Sequence, residues 1–304
     1  MSDRESDDGI KDGTVENKII VQAEFYDGYS FKKLIETLST VISNGNLIFT
    51  QDTWYLCELN PNKTTMVFVA IRTNELIDYK FDHHKDELKM GIDFQTLHKH
   101  SKTIGKKNSV IFRVEENGSP DNLLIVLSSE NASNSAVSPI TVADDNVGMP
   151  AYPNEKPILV KGGPFSKICA SMGQLPNLLE DTVIISAYQN GFRMEALESS
   201  KESIRTMDFG DLYTDDNQKL KENPVTEEFS AVLDKKHPAY ITKADASSGV
   251  IVRFGIEKNK IKMLSRLDSL SHMGIIKFSF SKDSPMKVSC RIGSYGTFVM
   301  YVKE

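Results

Sequence analysis

The chain has 304 residues, of which 39% are hydrophobic and 26% charged, with a formal net charge of −6. That length normally makes two domains, because single cores stop growing at roughly 250–300 residues. The acidic balance argues against a protein coated in nucleic-acid-binding charge, while leaving room for one basic surface on an acidic body.

The three cysteines, Cys57, Cys169 and Cys290, are odd in number and far apart, each inside an apolar strand or helix pattern. They read as reduced, buried thiols and not as a disulfide framework or a zinc site. No run reaches 18 apolar residues and no signal-peptide core follows Met1, so a soluble intracellular chain is expected.

Residues 1–17 are polar and mostly acidic and are expected to be a disordered extension. A strand follows at 19–25. Residues 29–43 carry Phe31, Leu34, Ile35, Leu38, Val41 and Ile42, spaced as one apolar stripe on a helix. Short alternating segments at 46–50, 53–59, 65–71 and 88–92 predict strands. Asp93 is placed to cap a second helix over 94–104, with Phe94, Leu97 and Ile104 inward. Strands return at 109–114, 122–127 and 136–142.

Residues 143–157 form a connector near the middle of the chain. The stretch holds Pro150, Pro153 and Pro157 with the acids Asp144 and Asp145, which argues against a helix or a central strand. Such composition describes a linker, but Val147 and Met149 place apolar side chains in it, and a docking strap explains those equally well.

The same order then restarts: a strand at 158–161, a helix at 164–175 with Phe165, Ile168, Met172 and Leu175 inward, and strands at 182–187, 191–197 and 204–209. Residues 210–228 read as a polar insertion. Strands at 230–233 and 250–254, a fourth helix at 257–271, and strands at 275–281, 287–292 and 297–302 complete the chain. Phe31-Lys32-Lys33-Leu34 matches Phe165-Ser166-Lys167-Ile168, so the halves are weak repeats, and each half holds a doubled helix-plus-strands motif.

No catalytic constellation stands out. His83 and His84 sit in an acidic turn, while His98 and His100 are two apart on one helix and face different ways. Gly162-Gly163 lacks the flanking residues of a phosphate loop and reads as a turn. No metal or cofactor is expected, and no enzyme activity. The arranged feature is charge: Lys32 and Lys33 on the first helix, Lys99 and Lys102 on the second with Lys106 just beyond, Lys167 on the third, and Lys258, Lys262 and Arg266 in one stripe on the fourth, with Lys260 beside it. Four net-basic helices in a net-acidic chain, if they share a surface, make a positive strip suited to sequence-independent phosphate contacts.

At this point the residues resemble the DNA sliding clamps of the proliferating cell nuclear antigen (PCNA) family, in a divergent form such as a large DNA virus would carry. The likeness is densest at Ser30 to Leu38, at Val147-Gly148-Met149-Pro150, at Phe165 to Cys169, and from Lys282 to Tyr301. It implies an α+β clamp fold: two similar domains, 18–142 and 158–304, each with two helices packed on antiparallel sheets. It also implies a homotrimeric head-to-tail ring around duplex DNA that works in replication and repair. By position, the partner-peptide pocket falls on Leu59, Met66, Val147, Met149, Pro285 and Tyr301 with Lys303 at the rim. The subunit contact falls on Val137, Ile140 and Val142 against Ile204 and Met207. The implied partners are double-stranded DNA, a DNA polymerase and other proteins with aromatic-anchored motifs, and a clamp loader, in the nucleus or at a viral cytoplasmic replication site. The chain departs from the family at Ser39, Ala170 and Gln174, where basic residues are usual, and in its long 205–250 region. A monomeric or dimeric viral processivity factor or a checkpoint-type clamp is the alternative within the fold. A peptide-binding adaptor without a DNA role is disfavoured by the basic stripes.

Overall fold

The computed structural model describes residues 17–117, 122–129, 132–142, 148–152, 157–175, 178–188, 190–198, 204–211, 250, 252–271, 274–282 and 284–303. The expected disordered extension before Asn17, the connector residues 143–147 and 153–156, and the expected strand at 230–233 lie outside them.

A β-α-β-β-β unit occurs four times. The first comprises Lys18–Phe25 (β1), Gly28–Val41 (α1), Asn44–Thr50 (β2), Thr53–Leu59 (β3) and Thr65–Arg72 (β4), with an added strand, Asp78–Phe81 (β5), that the sequence reading lacked. The second is Glu87–Asp93 (β6), Phe94–Ser101 (α2), Val110–Glu116 (β7), Leu123–Ser129 (β8) and Ala132–Val137 (β9). Beyond the connector come Ile158–Lys161 (β10), Gly162–Gly173 (α3), Leu178–Ala187 (β11), Asn190–Glu198 (β12) and Ile204–Asp211 (β13). The last unit is Val252–Glu257 (β14), Lys258–Leu264 (α4), Ile275–Ser281 (β15), Ser284–Ile292 (β16) and Gly296–Val302 (β17).

Local chemistry explains where the helices start and stop. The Asp27 carboxylate accepts the Ser30 N–H at 3.0 Å to start α1, and the apolar stripe Phe31, Leu34, Ile35, Leu38 and Val41 is buried. Asp93 accepts the N–H groups of Gln95 (2.8 Å) and Thr96 (3.1 Å), the expected cap. Gly162 and Gly163 are not a turn but the first residues of α3, and Pro164 is tolerated because first-turn amides have no helical acceptor. Gly162 sits close to Asp268: a Cβ there would lie 2.3 Å from Asp268 Oδ1 and 3.2 Å from its Cα, so a side chain at this position would displace Asp268.

Two helices are shorter than their apolar patterns predict. α2 tightens after Ser101, where Ile104 N–H bonds the Ser101 carbonyl at 3.1 Å. α4 stops at Leu264, and the chain continues with a 3-10 turn, Leu267–Ser269. Leu264, Leu267 and Leu270 stay buried because a three-residue spacing is the one that a 3-10 helix keeps on one face.

Three antiparallel sheets result. Their orders are β5-β1-β7-β8-β9, β10-β15-β16-β17-β4-β3-β2-β6, and β13-β12-β11-β14. The eight-stranded sheet joins both halves through β17 and β4, with Tyr301 opposite Met66. Its inward residues, among them Val67, Val69, Phe298 and Met300, share one core with Phe31 of α1 and Phe165 of α3. Rings cluster at equivalent places in the two halves: Phe25 lies 4.8 Å from Phe31, and Phe278 lies 5.0 Å from Phe165.

The strand expected at 136–142 is corrected: β9 ends at Val137. Ile140 then crosses to β6, where its N–H bonds the Gly91 carbonyl at 2.9 Å. A Cβ on Gly91 would lie 2.0 Å from the Ile140 carbonyl oxygen, so the residue must be glycine for the chain to cross there. Gly91→Ala should therefore cost about 1–3 kcal/mol by forcing the backbones apart. Urea unfolding checks this; an unchanged midpoint would mean that the 138–142 segment yields freely.

Candidate nucleic-acid interface and partner pocket

The four helices form one layer: α1, α2 and α3 pack against strands of the eight-stranded sheet, and α4 against β11 and β14 of the four-stranded sheet. α1 packs on α2, α3 packs on α4, and α1 meets α4 between the halves. Lys99, Lys102, Lys106, Lys167 and Lys262 are exposed on this layer. The other expected cations are committed to the fold. Lys32 Nζ donates to the carbonyls of Lys102 (2.7 Å) and Ile104 (2.9 Å), closing the end of α2. Lys258 does the same past the end of α3 through the Leu175 carbonyl. A cation suits both places, because helix C-termini present unpaired carbonyls and negative potential. Lys260, read as flanking the stripe, is instead buried, with Nζ 3.1 Å from the Lys303 carbonyl oxygen. Arg266 lies beyond α4, so the continuous stripe predicted with Lys258 and Lys262 is broken there.

The middle of this layer holds an acid, Glu36. It sits 2.7 Å from Lys33 Nζ and 3.6 Å from Arg266 Nη1, tying α1 to the second half. Burial pushes its carboxyl up, but the bond and charge of Lys33 and the charge of Arg266 outweigh this and hold it below the usual range. His98 is pushed below its ordinary value, first by burial and further by Lys102, Arg266 and Lys32 against the raising effect of Glu36. It adds no charge to the strip at neutral pH. Tyr29 stands between Lys33 and Lys106, whose ammonium groups lie 5.5 and 5.6 Å from its ring centroid.

The outer face of the eight-stranded sheet carries a separate apolar cluster. Met66, Val299 and Tyr301 are buried there, with Cys57, Leu59, Phe68 and Tyr152 packed against them. Antiparallel register creates it: Leu59 pairs with Met66, Met66 with Tyr301, Tyr301 with Lys287 and Lys287 with Ser279. Those five residues form one outward row across β3, β4, β17, β16 and β15. Of the expected pocket residues, Leu59, Met66 and Tyr301 meet in this row. Pro285 is half-buried on β16, two residues before Lys287, and Lys303 is exposed at the end of β17. Val147 lies outside the described residues.

The connector contacts this face through a residue that the sequence reading did not single out. The Tyr152 hydroxyl donates to the Ser279 carbonyl at 2.7 Å, and its ring lies 6.1 Å from that of Tyr301. Met149, by contrast, is 50% exposed. Phe68 and Val299 were also missed, although a signal existed: β4 and β17 are apolar at consecutive positions, which means that both faces are covered. Cys57 is corrected from a buried thiol to a half-buried one in this cluster, where burial and then Glu58 push its pKa up. Cys169 and Cys290 are buried as expected, the latter pushed up to about 12 by burial.

Two sheet edges complete the arrangement. β9 and β13 each end a sheet among the described residues, with one side unpaired. Val137 lies on the first edge, and Ile204 and Met207 on the second, while Ile140 and Val142 fall off the edge onto β6. The side chains of Val137 and Met207 point into the core, so an edge contact there would be made by backbone. Among the described residues no group of three or more His, Cys, Asp or Glu side chains could hold a metal ion.

Residues 20–147 match the family model of the proliferating cell nuclear antigen N-terminal domain. No curated protein sequence matches the chain. Solved structures match it in fold over nearly its whole length. One is the proliferating cell nuclear antigen of Entamoeba histolytica, with a TM-score of 0.69 at 14% identity over 94% of this chain and 99% of that one. The PCNA2–PCNA3 complex of Sulfolobus tokodaii gives 0.65 at 13% identity over 93% and 98%. A. fulgidus PCNA bound to the C-terminal region of FEN-1 gives 0.65 at 16% identity over 93% and 97%.

Proposed function

We propose, from the match of residues 20–147 to the PCNA N-terminal domain model and the likeness in fold of nearly the whole chain to solved PCNA structures, that this protein is a DNA polymerase processivity factor. Three copies pair head to tail, β9 of one against β13 of the next, and close a ring with the helices lining the hole. Duplex DNA passes through, and replication and repair proteins, a clamp loader among them, are held by short motifs in the outer pocket. The protein is a scaffold with no catalysis of its own. Its place of action is the nucleus or, for a viral clamp, a cytoplasmic replication site.

The observation that carries this reading is the opposition of two faces on one sheet. Exposed lysines stand on the helix layer of the inner face, and an apolar row stands on the outer face. A peptide adaptor needs only the second. The FEN-1 segment bound to A. fulgidus PCNA and the PCNA2–PCNA3 complex of Sulfolobus tokodaii support a partner pocket and assembly between chains. A monomeric or dimeric clamp of this fold is the second reading. The edges β9 and β13 favour the ring, since open edges invite unwanted pairing unless they are covered. Mass in solution decides: about three times 34.0 kDa supports the ring, and a single-chain mass supports the alternative.

DNA engagement is expected to be electrostatic. Lys99→Glu with Lys102→Glu should weaken DNA retention without lowering thermal stability. Removing two phosphate contacts should also flatten the salt dependence of log K by about 1.8, at ~0.9 per phosphate, so that the loss is greatest at low salt. A salt titration of DNA binding by the loaded protein checks this; an unchanged slope removes α2 from the DNA face.

A further inference from the structure

We infer, resting on the reading of the outer pocket as a partner-peptide site, that Lys287 is an anion receptor at its rim and that the partner motif carries a carboxylate beside its aromatic anchors. The row is apolar through Leu59, Met66 and Tyr301, and Lys287 is the next residue in it, before Ser279. Lys287 Nζ lies 5.3 Å from the centroid of the Tyr152 ring and 5.8 Å from that of Tyr301, so two aromatic rings hold one ammonium. The Tyr152 hydroxyl bond to Ser279 fixes the first ring, and the cluster around Met66 fixes the second. Ring faces attract a cation but accept none of its hydrogen bonds in the manner of an anion, which leaves its N–H donors to be satisfied from outside.

Among the described residues no carboxylate forms an ion pair with Lys287: the ion pairs between described residues join other side chains. Glu58, on β3 three strands away, is turned aside to accept the Asn46 N–H at 2.7 Å. A peptide whose aromatic side chains settle against Tyr301 covers Lys287 and strips water from it. Covering a cation with apolar atoms is costly, covering it with another cation is worse, and a carboxylate answers both the charge and the vacant donors. Lys287 thus selects for an acidic neighbour and against a basic one, and discrimination of this kind rests on repulsion as much as attraction.

Calorimetry on the full-length protein tests this with three synthetic peptides of the form glutamine-x-x-aliphatic-x-x-aromatic-aromatic, followed by Asp, Asn or Lys. The wild type should bind the Asp peptide about two- to fivefold more tightly than the Asn peptide, and the Lys peptide more weakly still. In Lys287→Gln the order among the three peptides should vanish, and Lys287→Glu should reverse it. Equal binding of the Asp and Asn peptides by wild type, or an order that survives in Lys287→Gln, overturns the assignment of Lys287 while leaving the pocket standing. If no peptide binds wild type, the pocket reading falls and this inference with it.

Discussion

Ile204→Pro is expected to turn an assembled ring into monomers. Ile204 is the first residue of β13, and β13 is the last strand of its sheet. Proline is tolerated by the chain's own sheet at those two kinds of position, so the monomer should still fold. Across the open edge the substitution acts differently. Its ring occupies the space a neighbouring strand would take, and a lost donor in a short backbone ladder has no side-chain contact to compensate for it. A missing hydrogen bond with its partner left unsatisfied costs about 1–3 kcal/mol, or roughly 5- to 150-fold per interface. A closed trimer makes the same contact three times, so the loss is compounded. Sedimentation reads the outcome, with circular dichroism as the check on folding. A variant that remains fully trimeric places the subunit contact elsewhere.

Met149→Ala with Tyr301→Ala should abolish binding of a glutamine-x-x-aliphatic-x-x-aromatic-aromatic peptide and leave assembly intact. Tyr301 is buried in the outer cluster and its ring backs both Tyr152 and Lys287, so its removal empties the middle of the row. Met149 is half exposed on the connector, where a flexible thioether is free to adapt to what docks beside it. Anchors of this sort carry most of the energy of a small interface. Each truncation should cost about 1–3 kcal/mol, and together they should take the affinity down at least tenfold and in the upper range beyond measurement. Assembly should survive because the row faces outward from the eight-stranded sheet, whereas β9 and β13 belong to the other two sheets. Unchanged affinity in calorimetry would mean that the connector is only a linker.

The elements were legible wherever one residue's neighbours along the chain decide its conformation. The apolar stripe of α1, the Asp93 cap of α2 and the alternation in β3 are local signals, and each element formed where it was expected. The repeat between Phe31 and Phe165 was legible for the same reason, since equivalent side chains recur at equivalent helical positions. Helix ends were less so: nothing in the apolar spacing of Leu264, Leu267 and Leu270 says where an α-helix gives way to a 3-10 turn, because both bury that face.

What only the tertiary structure decided is who stands next to whom across the sheet. Leu59, Met66, Tyr301, Lys287 and Ser279 span more than 200 positions of sequence, yet register sets them in one row. Pairing of β4 with β17 depends on how two halves close on one another, and a one-residue slip there would have left Leu59 and Met66 on the opposite face from Tyr301, Lys287 and Ser279. The same holds for charge. Lys32, Lys33, Lys99 and Lys258 look alike in a sequence, but carbonyl groups at distant helix ends claim Lys32 and Lys258, Glu36 claims Lys33, and Lys99 is left facing solvent. Composition and periodicity determine which residues are apolar, which are charged and what local shape they take. Long-range hydrogen bonding and packing determine which of those charges and apolar surfaces are left over for a partner.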